Sequence, residues 1–112
     1  MKLTCHCENI QIEAPLPETV TCCNCSICSR YQALWAYYDP ALVQIKTGTG
    51  GEQIYTWNDH EIEFVRCAEC GCVTHYRTLP AGTNAVAAVN FRMASEEELA
   101  EIPVRHSNGK AL

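Results

Sequence analysis

The sequence has little positive charge and no long hydrophobic run. Eight lysine and arginine residues stand against thirteen aspartate and glutamate residues in 112, which gives a formal net charge of −5. General nucleic-acid binding requires lysine and arginine to neutralise phosphates, so we predict no nucleic-acid partner. No stretch approaches the roughly 20 apolar residues of a transmembrane helix, so we predict no membrane-spanning segment. The residues after Met1 also lack the apolar run of a signal peptide, and we therefore expect a cytoplasmic protein with reduced thiols.

Cysteine, in contrast, is abundant. Nine cysteines are far more than a chain of 112 residues needs for its core, and they indicate cross-linking by metal or by disulfides. They fall in three clusters, Cys5-x-Cys7, Cys22-Cys23-x-Cys25-x-x-Cys28 and Cys67-x-x-Cys70-Gly71-Cys72. A reducing compartment disfavours disulfides, and thiolates this close repel one another unless a cation neutralises them. The clusters therefore predict bound metal.

Zinc is the ion that we expect. An iron–sulfur cluster would also accept four thiolates, but C-x-C with a distant C-x-x-C-G is more typical of zinc sites. The first and third clusters together supply four sulfurs, from Cys5, Cys7, Cys67 and Cys70. The second cluster supplies three on one tight turn, from Cys23, Cys25 and Cys28. Four thiolates close a tetrahedral site, whereas three leave one position open.

Three further side chains in or beside these clusters are not assigned as metal ligands. Cys22 stands beside Cys23 and could replace it as a ligand, and the spacing leaves both registers open; otherwise Cys22 is a small buried apolar group. Cys72 has no assigned role. If Cys5 and Cys7 lie on extended chain, their side chains share one face and His6 points to the other, so we do not expect His6 to be a ligand.

Alternating apolar residues predict a mainly β fold in a single domain, residues 1–112. The predicted strands are residues 10–14, 19–22, 33–38, 43–45, 54–57, 62–65, 73–78 and 85–89. A zinc ribbon places its thiols at the tip of a hairpin, which predicts that the strand before Cys67 continues into such a tip. Helical turns are predicted at 26–31 and after Asp39-Pro40, and a capping box at Ser95 opens a short helix through about Ile102.

Three motifs carry a family resemblance: Cys5-His6-Cys7, Cys23-x-Cys25-x-x-Cys28-Ser29-Arg30 and Arg66-Cys67-x-x-Cys70-Gly71. In order and spacing, over nearly the whole chain, they resemble the glutathione-dependent formaldehyde-activating enzyme family, which also includes centromere protein V. The resemblance implies a small β-tent of stacked antiparallel sheets with one short C-terminal helix. The chain departs from the family at Glu8-Asn9, where members usually have a glycine, and at the doublet Cys22-Cys23.

The resemblance also implies two zinc ions per chain with different roles. The structural zinc would be bound by Cys5, Cys7, Cys67 and Cys70. The catalytic zinc would be bound by Cys23, Cys25 and Cys28. The implied function is a zinc-dependent carbon–sulfur lyase that adds glutathione to formaldehyde, giving S-hydroxymethylglutathione, or runs the reverse reaction. A zinc-bound thiol is deprotonated at neutral pH yet remains nucleophilic, which suits attack on a small aldehyde.

Glutathione is anionic, so a binding site in this acidic protein needs local cations. Arg30 directly follows the second cluster and is the preferred candidate for contact with a glutathione carboxylate. Further candidates are the cations Arg66, Arg77 and Arg92 and the proton carriers His75 and Tyr76. The alternative function is a non-catalytic, zinc-stabilised protein-interaction module, which a filled fourth zinc position would favour.

Overall fold

The structure is a computed structural model that describes residues 1–57, 61–78 and 84–111. The described residues form ten strands: β1 Lys2–Thr4, β2 Ile10–Glu13, β3 Val20–Cys23, β4 Trp35–Tyr38, β5 Gln44–Thr47, β6 Glu52–Trp57, β7 Ile62–Cys67, β8 Val73–Thr78, β9 Ala87–Asn90 and β10 Val104–Ser107. They also form the helices α1 Ser26–Tyr31 and α2 Glu96–Ala100, and 3-10 turns at Pro40–Leu42, Phe91–Met93 and Gly109–Ala111. None of the described helices is long and apolar enough to cross a membrane.

The strands form two sheets. The small sheet has the order β1-β2-β5, and the large sheet has the order β10-β3-β4-β9-β8-β7-β6. Neighbouring strands are antiparallel except β3 and β10, which pair in parallel. The mainly β fold of stacked sheets predicted from the sequence is therefore confirmed. The polar turn predicted at residues 58–60, between β6 and β7, lies outside the described residues.

Two strands were not predicted. β1 has only three residues, too few for an alternating pattern to stand out. β10 carries one apolar residue, Val104, and its first three residues are exposed, so no buried face marks it in the sequence. Its parallel pairing with β3 also joins residues that are far apart in the chain, which local patterns cannot reveal.

The large sheet separates two apolar cores. The inter-sheet core lies between the two sheets and contains Leu3, Cys5, Ile10, Ile12, Val20, Leu34, Ala36, Cys67, Val89, Phe91 and Ile102. The helix-side core lies on the other face and contains Cys28, Ala33, Trp35, Phe64 and Ala88. Alternate residues of a strand point to opposite faces, and the neighbours Trp35 and Ala36 accordingly lie in different cores.

The predicted helix signals have their expected geometry. Ser95 Oγ accepts a hydrogen bond from Glu98 N at 3.1 Å, and Glu98 Oε1 accepts one from Ser95 N at 2.9 Å. Asp39 caps the turn that begins at Pro40, with its Oδ1 3.0 Å from Ala41 N. Helix α2 ends at Ala100, two residues before the predicted end at Ile102, because the last N–H groups form tighter bonds to residues three positions back.

Candidate metal centres

The first cysteine centre consists of the thiols of Cys5, Cys7, Cys67 and Cys70. Their four sulfur atoms all lie within 4.8 Å of one another. The sulfur of Cys7 is 3.8 Å from that of Cys5 and 3.6 Å from that of Cys67. Four sulfurs about 2.3 Å from a central zinc would be about 3.8 Å apart in a tetrahedron, so this spacing fits zinc.

A turn after β1 brings the first two thiols together. Glu8 N donates to Cys5 O at 3.0 Å, and Ile10 N lies 3.2 Å from Cys5 Sγ. The chain is thus turned here rather than extended, with Glu8 at a φ of 66°. This is the left-handed region that favours glycine, which explains why a glycine is expected near this position. His6 is exposed and is not among the four grouped residues.

The tip of the β7–β8 hairpin supplies the other two thiols, as predicted for a zinc ribbon. Cys67 Sγ accepts hydrogen bonds from the backbone N–H groups of Glu69 and Cys70, both at 3.4 Å. Gly71 turns the chain with a φ of 81°, and its N–H bonds to Cys67 O at 2.9 Å. Such N–H groups stabilise a thiolate, which is the form that binds metal.

Two thiols of the first centre, Cys70 and Cys7, differ in their pKa. Burial opposes ionisation of Cys70, but hydrogen bonds from the backbone N–H groups of Cys72 and Cys7 outweigh it and lower its pKa to about 5. For Cys7 the Asn9 N–H favours ionisation, yet burial and the neighbouring thiols raise the pKa to about 12. Thiolates this close repel one another unless a cation neutralises them.

The second cysteine centre consists of the thiols of Cys23, Cys25 and Cys28, whose sulfur atoms also lie within 4.8 Å of one another. β3 ends at Cys23, and Cys25 caps α1, with its sulfur 3.4 Å from Cys28 N. Among the described residues, no fourth Cys, His, Asp or Glu joins this group. Within the described part of the chain, the centre therefore offers a metal three protein ligands, one fewer than a closed tetrahedral site has.

Aromatic side chains surround the buried member of the second centre. Trp35 Nε1 donates to Cys28 Sγ at 3.3 Å, and the Trp35 ring packs edge-on against Tyr76 with centroids 4.8 Å apart. Burial and the charges of Cys25 and Cys23 raise the pKa of Cys28 to about 12, although the Trp35 N–H opposes this. A cation at the centre would remove the cost of ionising this thiol.

The two remaining cysteines lie outside both centres. Cys22 pairs with His106 in the β3–β10 ladder and packs against the inter-sheet core. Because successive strand residues point to opposite faces, the sulfur of Cys23 and not that of Cys22 reaches the second centre. Cys72 also packs against the inter-sheet core.

Arg30 lines a cavity of about 510 Å³ that reaches from α1 to the tip of the β7–β8 hairpin. Its described lining includes Arg92, His6 and Cys72 but no carboxylate, and none of the three sulfurs of the second centre. Arg30 Nη1 donates to Ser26 O at 2.7 Å, and Arg92 Nε donates to Gln32 O at 2.8 Å. Backbone carbonyls thus orient both guanidinium groups while leaving further N–H groups for a ligand.

The other candidate cations have partners elsewhere. Arg77 forms ion pairs with Glu63 at 2.7 Å and with Glu52 at 3.4 Å. Arg66 Nη2 donates to Gln53 Oε1 at 2.8 Å. Neither arginine lines the cavity of Arg30.

His75 does not lie near the second centre. It pairs with Val89 in the sheet, and both side chains face the inter-sheet core. Burial and the charge of Arg77 lower the pKa of His75 to about 4, so its imidazole is neutral at physiological pH. Tyr76, the next residue, faces the helix-side core instead. His75 and Tyr76, both candidate proton carriers, therefore face opposite sides of the large sheet, and Tyr76 is the one on the side of Cys28.

Residues 1–105 match the family model described as glutathione-dependent formaldehyde-activating enzyme. The chain belongs to this family. A crystal structure of a Rhodobacter sphaeroides protein from a structural genomics programme is similar to it, with a TM-score of 0.74 and 25% sequence identity. That likeness covers 94% of this chain and 100% of the other. A search of curated proteins found no match. Family membership implies a function related to glutathione and formaldehyde, and both cysteine centres are compatible with zinc.

Two contributors to the second centre of this family member have no signal in the sequence. Trp35 was expected only as part of a core strand, and its N–H bond to Cys28 depends on β4 packing below α1. Gly109, which follows β10, lies against Cys23 and Cys25. No motif marks Gly109, because the contact joins positions more than eighty residues apart along the chain.

Proposed function

We propose that this protein is a zinc-dependent carbon–sulfur lyase. It joins a small anionic thiol such as glutathione to formaldehyde or another small aldehyde, or catalyses the reverse reaction. One observation carries the proposal: four thiols converge in the first centre, whereas three converge in the second without a fourth ligand among the described residues. Structural zinc sites are closed, and catalytic zinc sites keep a position for substrate.

In this proposal the two centres bind one zinc ion each. The structural ion is bound by Cys5, Cys7, Cys67 and Cys70. The catalytic ion is bound by Cys23, Cys25 and Cys28. Zinc with three thiolate ligands supplies a place where a substrate thiol loses its proton at neutral pH and remains nucleophilic. Trp35 Nε1, 3.3 Å from Cys28 Sγ, stabilises the negative charge that collects on the protein sulfurs.

The reaction forms one bond and rearranges another. The substrate sulfur attacks the aldehyde carbon, a carbon–sulfur bond forms, and the carbonyl π electrons move to oxygen, which takes up a proton. Tyr76 is a candidate donor of that proton, because it packs against the helix-side core that contains Cys28. Tyr37 is a second candidate, because its ring packs edge-on against that of Tyr76 with centroids 6.4 Å apart. Burial raises the pKa of both tyrosines, so both are protonated at neutral pH.

The cavity of Arg30 and Arg92 is the proposed place for the carboxylates of the thiol. The protein has a net charge of −5, yet the described lining of this cavity contains two arginines and no carboxylate. Tyr31, three residues after Cys28 in α1, lines this cavity and also packs against the helix-side core that contains Cys28, which supports a path for a peptide-like thiol from the second centre to the two arginines. Paired guanidinium contacts favour a substrate with carboxylates over a neutral thiol.

X-ray absorption at the zinc edge tests the proposal directly. With two zinc ions bound, the mean sulfur count should rise from about 3.5 to about 4 per zinc when glutathione is added, because only the second centre can accept another sulfur. Exchange NMR of the glutathione–formaldehyde adduct should show faster exchange with the protein than with buffer or with Cys25→Ser. An unchanged sulfur count and uncatalysed exchange would leave the interaction-module function as the better explanation.

A further inference from the structure

The turn Cys23-Asn24-Cys25 is bound by a segment from the far end of the sequence. β10 runs parallel to β3, and Ser107 lies opposite Cys23 in the ladder. The ladder continues one residue beyond the strand, since Asn24 N donates to Ser107 O at 3.2 Å. The second centre is therefore attached to residue 107 through the backbone.

The residues that follow extend this attachment through one side chain. Asn24 Nδ2 donates to Asn108 Oδ1 at 2.8 Å. Asn24 Oδ1 accepts from Lys110 N at 2.9 Å. Both polar atoms of the Asn24 side chain are thus used to bind the segment Ser107–Lys110. This turn carries two of the three thiols of the second centre.

Gly109 lies directly against these thiols. A Cβ at position 109 would be 2.6 Å from Cys23 Sγ and 3.2 Å from Cys25 Cβ. Ordinary contacts between such atoms are about 3.5–4.0 Å, so a side chain here would displace either the segment or the cysteine. Gly109 is not among the glycines with positive φ. Glycine is therefore required at this position for space and not for backbone conformation.

We propose that the segment Ser107–Lys110 is part of the second cysteine centre, and that Gly109 is the positioning residue that lets Cys23 present its sulfur to a metal while the segment stays bound. The proposal rests on the proposed function in one respect, namely that the second centre binds zinc. The family match ends at residue 105, so it does not include this segment. By fixing the turn before metal arrives, the segment reduces the conformational entropy that three free thiols would lose on binding.

The test measures zinc affinity at the second centre with the first centre already loaded, by competition with a chromophoric chelator. Gly109→Ala should weaken binding at the second centre by about tenfold or more, the usual size of effects from residues that orient metal ligands, and leave the first centre unchanged. Asn24→Ala should weaken it less, since it removes two hydrogen bonds and adds no volume. Glu101→Ala is the control: its side chain is exposed and it lies outside the segment Ser107–Lys110, so the affinity should equal that of the wild type.

Cobalt substitution provides a second readout, because the thiolate-to-cobalt charge-transfer absorption of the second centre grows with the number of bound sulfurs. Gly109→Ala should lower it by about one third if Cys23 is displaced from a three-thiolate site. Wild-type zinc affinity and absorption in a folded Gly109→Ala protein would overturn the inference. Should Gly109→Ala not fold, wild-type affinity in Asn24→Ala would overturn it instead.

The proposed lyase function and the role of the segment Ser107–Lys110 can be tested independently of each other. If wild-type protein binds the second zinc but glutathione leaves its sulfur count unchanged, the lyase function is wrong while the loss of affinity in Gly109→Ala still supports the role of the segment. If glutathione reaches the zinc and Gly109→Ala binds zinc normally, the lyase function is retained and the role of the segment is overturned.

Discussion

The two cysteine centres of this protein are built from different parts of the chain. In the first centre, Cys7 and Cys67 are 60 positions apart, and their contact joins the turn after β1 to the β7–β8 hairpin. In the second centre, all three thiols lie within residues 23–28, on one strand end and one short helix. A metal that closes a long loop removes much more freedom from the unfolded chain than a metal bound to one turn. This difference supports the proposed division, with a structural ion in the first centre and a catalytic ion in the second.

The largest expected effect is the loss of stability when a metal ligand is removed from the first centre. Cys67→Ser should remove much of the roughly 10–16 kcal/mol that structural zinc contributes to small domains, so the variant should lose its cooperative thermal transition. Cys25→Ser should melt cooperatively, because the second centre joins only thiols from residues 23–28. Thermal melts at a constant zinc concentration check both variants. Equal destabilisation of the two would break the division between the centres.

The next largest effect concerns the order in which the two centres lose zinc. Protein purified gently should contain two zinc ions, and a chelator should remove the one at the second centre first, because an open position gives the chelator a point of attack. Elemental analysis during chelation should show one zinc lost while the far-ultraviolet circular dichroism stays constant. Simultaneous loss of zinc and of β structure would contradict this order.

A smaller effect concerns substrate charge at the second centre. Arg30→Ala and Arg92→Ala should each weaken glutathione binding by about tenfold, the value of one charge-assisted contact of roughly 1.5 kcal/mol. Calorimetric titration of the zinc-loaded protein measures this. Binding of 2-mercaptoethanol, which has no carboxylate, should be unaffected, and Arg66→Ala should behave as the wild type because Arg66 does not line the cavity. Equal losses for both thiols would indicate damage to the centre instead of a lost carboxylate contact.

The smallest effect concerns the turn that supports the first centre. Glu8 occupies a left-handed backbone conformation with a φ of 66°. Glu8→Gly should therefore stabilise the protein by about 1 kcal/mol, measured by chemical denaturation with zinc bound. Glu13→Gly is the matched control, since Glu13 is an exposed residue of β2 and its replacement should cost about 0.5–1 kcal/mol. A loss of stability in Glu8→Gly would show that the Glu8 side chain contributes more than its backbone strain costs.

The sequence was sufficient for features that depend on local spacing. The metal-ligand spacing, the capping box at Ser95 and the hairpin that ends in Cys67 are each determined by a few neighbouring residues. The sequence was insufficient where a prediction depends on which face of the sheet a side chain occupies. His75 and Tyr76 are adjacent, yet one faces the inter-sheet core and the other the aromatic side chains near Cys28. The same problem left Cys22 and Cys23 undecided until the ladder between β3 and β10 was known.

The doublet Cys22-Cys23 also has a consequence for the order of folding events. A slip of one residue in the pairing of β3 reverses the faces of its side chains, so Cys22 would then point where Cys23 points in the native structure. Zinc captured early by Cys22, Cys25 and Cys28 would hold this wrong register and act as a kinetic trap. Refolding with zinc present from the start should therefore be slower than refolding with zinc added at the end, and Cys22→Ala should abolish the difference. In this strand, the order in which metal and partner strand arrive should therefore affect the rate of refolding.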